Sequence, residues 1–124
     1  MKRRLATIVT NTGDGIAWTY TDSATLGGKI TFIIPGIYNF TYSDIGTKQY
    51  GLSKNQASAG TTVFDSLTAA EKFLRVGGES GNRFNCASIT AYMDTNDFVE
   101  MVTNGDSWTT NANVWTSLQI ERLP

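Results

Sequence analysis

Histidine is absent from all 124 residues, and that absence removes much chemistry. The Ser-His-Asp and Cys-His nucleophilic arrangements, the usual zinc ligand sets and the commonest general base all require it. Cysteine occurs once, at Cys86, so no intramolecular disulfide can form. Within "FNCASIT" it reads as a small hydrophobe of a strand. No apolar run approaches the roughly 18 residues of a membrane span. The start "MKRRLATIVTNTGDG" is basic but lacks the apolar stretch of a signal peptide. Charge is also scarce: Asp, Glu, Lys and Arg make up 17% of the chain, with a formal net charge of −1. A near-neutral chain lacks the basic face that nucleic-acid binding needs. The expectation is a chain with no nucleic-acid partner, no membrane and no cofactor, made inside a cell and reduced at synthesis. A virion protein assembled in the host cytoplasm fits that description.

Long helical periodicity is missing too, and alternation at period two takes its place, the mark of half-buried strands. "LATIVT" (5–10) alternates and ends at "NTGDG". "IAWTY" (16–20) puts Ile16, Trp18 and Tyr20 on one face, and "KITFII" (29–34) does the same with Ile30, Phe32 and Ile34. After the Pro35-Gly36 break, Tyr38, Phe40 and Tyr42 share one face, while Ile37, Asn39, Thr41 and Ser43 share the other. Tyr50 and Leu52 follow, with a turn near Asn55. Residues 56–70 read as a long surface connection. "TAAEKFLRV" is ambiguous: Thr68 and Glu71 have capping-box spacing, yet Phe73–Val76 suits a strand. "RFNCASITAYM" (83–93), "FVEMV" (98–102) and "VWTSLQIERL" (114–123) complete about eight to ten short strands. The predicted class is an all-β, two-sheet antiparallel sandwich or jelly roll in one domain, residues 1–124.

Within that frame the groups able to do chemistry are few. Asp94, Asp97 and Asp106 lie in or beside turns, where Asp serves local hydrogen bonding; the D-x-[DN]-x-[DN]-G spacing of a calcium loop is absent. "GDGIAW" and "GGESGN" open no helix and so make no phosphate cradle. Asn39-Phe40-Thr41 matches an N-glycosylation pattern but falls inside a strand, where it reads as coincidence. Trp108, in "NGDSWTTN", is the candidate for an exposed aromatic, either stacking on a sugar at a ligand rim or packing on the sheet edge. Lys2, Arg3 and Arg4 form the sole basic cluster, read either as a solvated terminus or as an arm docking on an acidic neighbour. An enzyme is disfavoured.

Five stretches carry a family likeness: "TNTGDGIAWTYTDS", "GGKITFIIPGIYNFTYS", "YGLSKNQ", "ITAYMDTNDFVEMV" and "WTSLQIERLP". In order and spacing they resemble the jelly-roll head shared by complement-q-like and tumour-necrosis-factor-like trimers. Asn96-Asp97 stands where that family has Gly-Asp, and the Phe-x-Gly-Phe of its last strand is absent. The ending "LQIERL" resembles those of bacteriophage virion proteins bearing such heads. The resemblance implies a ten-strand sandwich assembling as a homotrimer. It puts Tyr38, Phe40, Ala87, Ile89 and Met93 inside, and turns Ile37, Asn39, Thr41, Cys86, Ser88 and Thr90 toward sister subunits. A sheet simply facing solvent would tolerate the same small polar residues. The expected function is a non-enzymatic capsid decoration (cement) protein, partnered by a major capsid protein or another virion component. The absence of a collagen repeat, heptad or stalk favours decoration. The alternatives are a fibre or tail head binding a receptor or host-surface glycan, and an extracellular signalling ligand.

Overall fold

The computed structural model describes residues 3–5, 17–23, 26–46, 48–57, 62–77, 83–105 and 116–124. Among them are eight strands: β1 (Trp18–Thr21), β2 (Lys29–Phe32), β3 (Gly36–Gly46), β4 (Tyr50–Lys54), β5 (Lys72–Gly77), β6 (Arg83–Met93), β7 (Phe98–Thr103) and β8 (Ser117–Arg122). They form a five-stranded sheet in the order β1-β2-β7-β4-β5 and a three-stranded sheet in the order β6-β3-β8. Every pairing is antiparallel. The chain therefore passes between sheets at β2–β3, β3–β4, β5–β6, β6–β7 and β7–β8.

One apolar layer joins the sheets. Ile30 and Phe32 of β2, Tyr38, Phe40 and Tyr42 of β3, Tyr50 and Leu52 of β4, Met93, Val99 and Met101 form a single buried cluster. The period-two aromatics after the Pro-Gly break are thus core, and each contributes about 1.5–3 kcal/mol by burial. Phe32 meets Tyr38 and Phe40 edge-on, with ring centroids 4.7 and 5.7 Å apart, and Phe40 meets Phe73 at 5.0 Å. These are favoured geometries for aromatic quadrupoles. The ambiguous segment resolves as β5 because Phe73, Leu74 and Val76 pack on this layer. The capping-box bonds form nonetheless: Thr68 N–H donates to Glu71 Oε1 (2.9 Å), and Glu71 N–H donates to Thr68 Oγ1 (3.3 Å). They close a turn, and no helix follows.

Residues 3–5 are built into the fold, and a buried Arg3 does not stand out as the docking arm expected of it. Arg3 is 4% exposed. Its guanidinium forks onto the buried Asp44 carboxylate at 3.1 and 2.8 Å. Asp44 also accepts from Tyr42 Oη at 2.5 Å, Thr116 Oγ1 at 2.7 Å and its neighbour's Ile45 N–H at 2.8 Å. A carboxylate with no exposed surface requires such a set, because an unpaired buried charge costs several kcal/mol. Burial beside Asp44 pushes the Tyr42 hydroxyl well above its ordinary pKa. Arg3 N–H also bonds Met101 O, and Arg3 O accepts from Gly28 N–H, tying the segment to the five-stranded sheet as well. Gly28 permits this closeness: a Cβ there would lie 2.3 Å from Tyr20 Oη, the atom that accepts from Leu5 N–H. Arg4 forks onto Asp22 at 2.8 and 2.6 Å. Lys2 lies outside the described residues.

The connection from β4 to β5 covers part of the outer face of the five-stranded sheet. A short 3-10 turn, Phe64–Ser66, seats Phe64 with Leu67 on Val102 in a second apolar cluster. Phe64 sits against Gly51, where a Cβ would come within 2.9 Å of its ring. Asp65 and Asn104 exchange hydrogen bonds of 2.8 and 2.6 Å that hold the turn in place. Gln56, 4% exposed, accepts from Ser53 Oγ. The surface connection expected for 56–70 is thus also a lid with its own small core.

Candidate functional site

The three-stranded sheet is finished differently. Its inner residues are core, and its outer residues stand in cross-strand rows fixed by register. From the Pro-Gly corner outward these are Ile37 with Tyr92, Asn39 with Thr90 and Glu121, Thr41 with Ser88 and Gln119, Ser43 with Cys86 and Ser117, and Ile45 with Phe84. All six residues expected to face sister subunits therefore lie on one surface, on the adjacent strands β3 and β6. Cys86 is exposed, so it is not packed as a core hydrophobe: Ala87, Ile89 and Met93 of β6 turn toward the core and Cys86 points out.

The face has a definite pattern. Ile37, Phe84 and Tyr92 are 50%, 51% and 56% exposed, so large apolar groups stand at its two ends. Hydroxyl and amide groups fill the middle, and several already satisfy one another. Thr41 Oγ1 and Ser88 Oγ are 2.9 Å apart, and Thr90 Oγ1 donates to Asn39 Oδ1 at 3.0 Å. Polar groups paired within the chain cost less to take out of water than unpaired ones. Glu121 is the single carboxylate in these rows, and no Lys or Arg stands in them.

Sequence reasoning missed Phe84, Tyr92, Gln119 and Glu121 as members of this face. The signal was available. In "RFNCASITAYM" the alternation that exposes Cys86 also exposes Phe84 and Tyr92, and in "SLQIER" the partly buried Leu118 and Ile120 leave Gln119 and Glu121 outward.

The turn carboxylates have local employment. Asp97 accepts from Asp94 N–H and Asn55 Nδ2, both at 2.8 Å, and Lys54 Nζ lies 3.5 Å away. Burial acts against its ionisation, but these donors and the cation outweigh it and hold the Asp97 carboxyl below its usual range. Asn55 in turn accepts from Phe98 N–H at 2.9 Å, so the β6–β7 turn and the end of β4 are stitched together. Among the described residues no group of three or more His, Cys, Asp or Glu side chains could hold a metal ion. Asp106, Trp108 and the loop 11–15 lie outside the described residues. No protein-family model, no curated protein and no solved structure matches the chain.

Proposed function

We propose that the chain is a non-enzymatic, self-assembling jelly-roll head whose three-stranded sheet packs against other copies of itself. Three copies gather around an axis, and the assembled head decorates a phage-like virion shell. The observation that carries the reading is the contrast between the two outer faces: one is covered by the chain's own Phe64 and Leu67, while the other exposes Ile37, Phe84 and Tyr92 around a nearly uncharged centre. Exposed large apolar side chains with few charges among them favour a subunit contact. Two eleven-residue strands and one of six, at about 3.3 Å per residue and about 4.8 Å spacing, give this face roughly 440 Å². That is a large share of the roughly 800 Å² per partner of a standard interface.

Two further features support the jelly-roll part. The chain alternates between sheets along most of its length, as described above. Asn96 has φ of 72°, the left-handed conformation that Asn adopts more readily than most residues and that the glycine of a Gly-Asp turn takes freely. The threefold and the virion rest on the resemblance of the strand motifs and of the ending "LQIERL". On a shell, three copies of one modest contact act together, which multiplies attachment without a strong single site.

Size-exclusion chromatography with light scattering tests the assembly. The expected mass is three chains, falling to one chain in Asn39→Arg with an unchanged circular-dichroism spectrum. A single-chain mass for the unaltered protein at micromolar concentration would overturn the reading. Electron microscopy of the source particle tests the location, with density on threefold positions of the shell as the expected result. Density only at a tail tip would replace decoration by an appendage.

A further inference from the structure

We infer that Asn104 is a self-modifying site: its side-chain amide closes on the backbone nitrogen of Gly105, loses ammonia and hydrolyses to an acidic residue, which unfastens the cover over the five-stranded sheet. The inference stands apart from the assembly proposed above. Asn104-Gly105 is the chain's one Asn-Gly pair, and it follows directly on β7. The reaction needs an attacking nitrogen with open access, and Gly105 has no Cβ beside its own. Gly105 is exposed, so water reaches the pair. Its φ of 137° is one that residues with a side chain rarely adopt, so the fold itself calls for glycine there.

Three contacts favour the chemistry. Asn104 N–H donates to Gln49 O at 2.8 Å, which fixes the backbone of the attacked residue. Asp65 N–H donates to Asn104 Oδ1 at 2.8 Å, on the oxygen where negative charge develops as Cγ becomes tetrahedral. Lys48 Nζ would lie 3.7 Å from a Cβ placed on Gly105, so a cation stands beside the residue whose nitrogen gives up its proton.

The step balances without a redox partner. Gly105 N–H loses its proton to solvent, the N–Cγ bond forms, and the Cγ–Nδ2 bond breaks as ammonia leaves. Water then opens the cyclic imide at either carbonyl, which leaves aspartate or isoaspartate at position 104. Neither product can hold what the amide held. Asn104 Nδ2 donates to Asp65 Oδ2 at 2.6 Å, and a carboxylate oxygen in its place only accepts. Two acceptors then meet where a donor met an acceptor. Asp65 belongs to the 3-10 turn whose Phe64 packs with Leu67 on Val102, so the cover loses a fastening that no later step restores.

The full chain, kept folded at neutral to mildly alkaline pH beside a sample in urea, tests this. Peptide mass spectrometry with an isoaspartate assay follows each asparagine. Asn104 should convert in the folded sample ahead of the other asparagines, and Lys48→Gln should slow it about twofold to fivefold, the scale of one exposed charge. Hydrogen exchange at the Asp65 and Leu67 amides should become roughly tenfold faster in the converted fraction, and Asn104→Asp should reproduce this without ageing. Persistence of the Asn104 amide in the folded sample, whatever happens in urea, would overturn the inference. Conversion that leaves both amides as protected as before, or full protection in Asn104→Asp, would overturn the unfastening.

Discussion

Outside the five-stranded sheet, Phe64 and Leu67 are 2% and 4% exposed; outside the three-stranded sheet, Ile37 and Tyr92 are 50% and 56% exposed. Both surfaces belong to one chain and both are made of period-two strands. The first is closed by the chain's own connection between β4 and β5, and the second is open among the described residues. The contrast separates two kinds of consequence. Residues that close the molecule on itself should be felt in folding stability, whereas residues on the open face should be felt in association while stability stays level.

The largest effect is expected at the Arg3–Asp44 pair, which closes the sandwich internally. Arg3→Met leaves a fully buried carboxylate without its cation and should cost about 3–5 kcal/mol in denaturant unfolding. Changing Asp44 to Asn in the same chain should recover only part, since Tyr42, Thr116 and Ile45 also donate to that carboxylate. A loss under about 1 kcal/mol for Arg3→Met would mean that the segment docks loosely. Next comes the self-made cover. Phe64→Ala should lower stability by about 3 kcal/mol, with the mass of the assembly unchanged in light scattering. If it dissociates the assembly instead, the two outer faces are not independent.

On the open face the pattern should invert. Asn39→Arg should change the unfolding free energy of the chain by no more than about 0.5 kcal/mol, the usual range for surface substitutions, yet abolish association. Cys86 offers a probe that needs no mutation, because it stands in the same rows as Ser43 and Ser117. Its thiol should react freely with a maleimide in dilute protein and slowly in concentrated, assembled protein. Equal rates at both concentrations would place the contact elsewhere.

How far the sequence reveals this contrast depends on the range of the interactions involved. Alternation is local, so the strands carrying Tyr38, Phe40, Tyr42, Tyr50 and Leu52 could be read with their buried faces. The outward row of β3 followed from the same parity. Arg3 could not be read this way: its role depends on Asp44, 41 residues along the chain, and a basic residue near a terminus looks solvated until its partner is known. Phe64 and Leu67 were similarly hidden, since their contact is Val102 across a stretch with no periodicity. Glu71 misleads in the opposite direction. Its capping-box bonds with Thr68 form as the spacing suggests, but the packing of partly buried Phe73 and Val76 on the core decides that a strand follows.

Glu71 also yields the smallest and most specific test of the contrast. Its carboxylate accepts from the backbone N–H groups of Thr68 and Ala57, at 2.9 and 2.8 Å, and thereby fastens both sides of the cover. The Thr68 N–H, then the Ala57 N–H and the Thr68 hydroxyl, favour the ionised form and hold its pKa below the usual range. A depressed folded-state pKa contributes stability that is complete above the unfolded value, near 4.3 for glutamate, and is lost as pH falls through the folded value. Acid should therefore loosen the self-made cover, seen as faster hydrogen exchange at the Ala57 and Thr68 amides below about pH 4 than the pH dependence of intrinsic exchange alone predicts. Glu71→Gln should show fast exchange already at neutral pH and little further change on acidification. Loosening of the Ala57 and Thr68 amides that also lowers the mass of the assembly would show that the two faces are coupled through the sandwich.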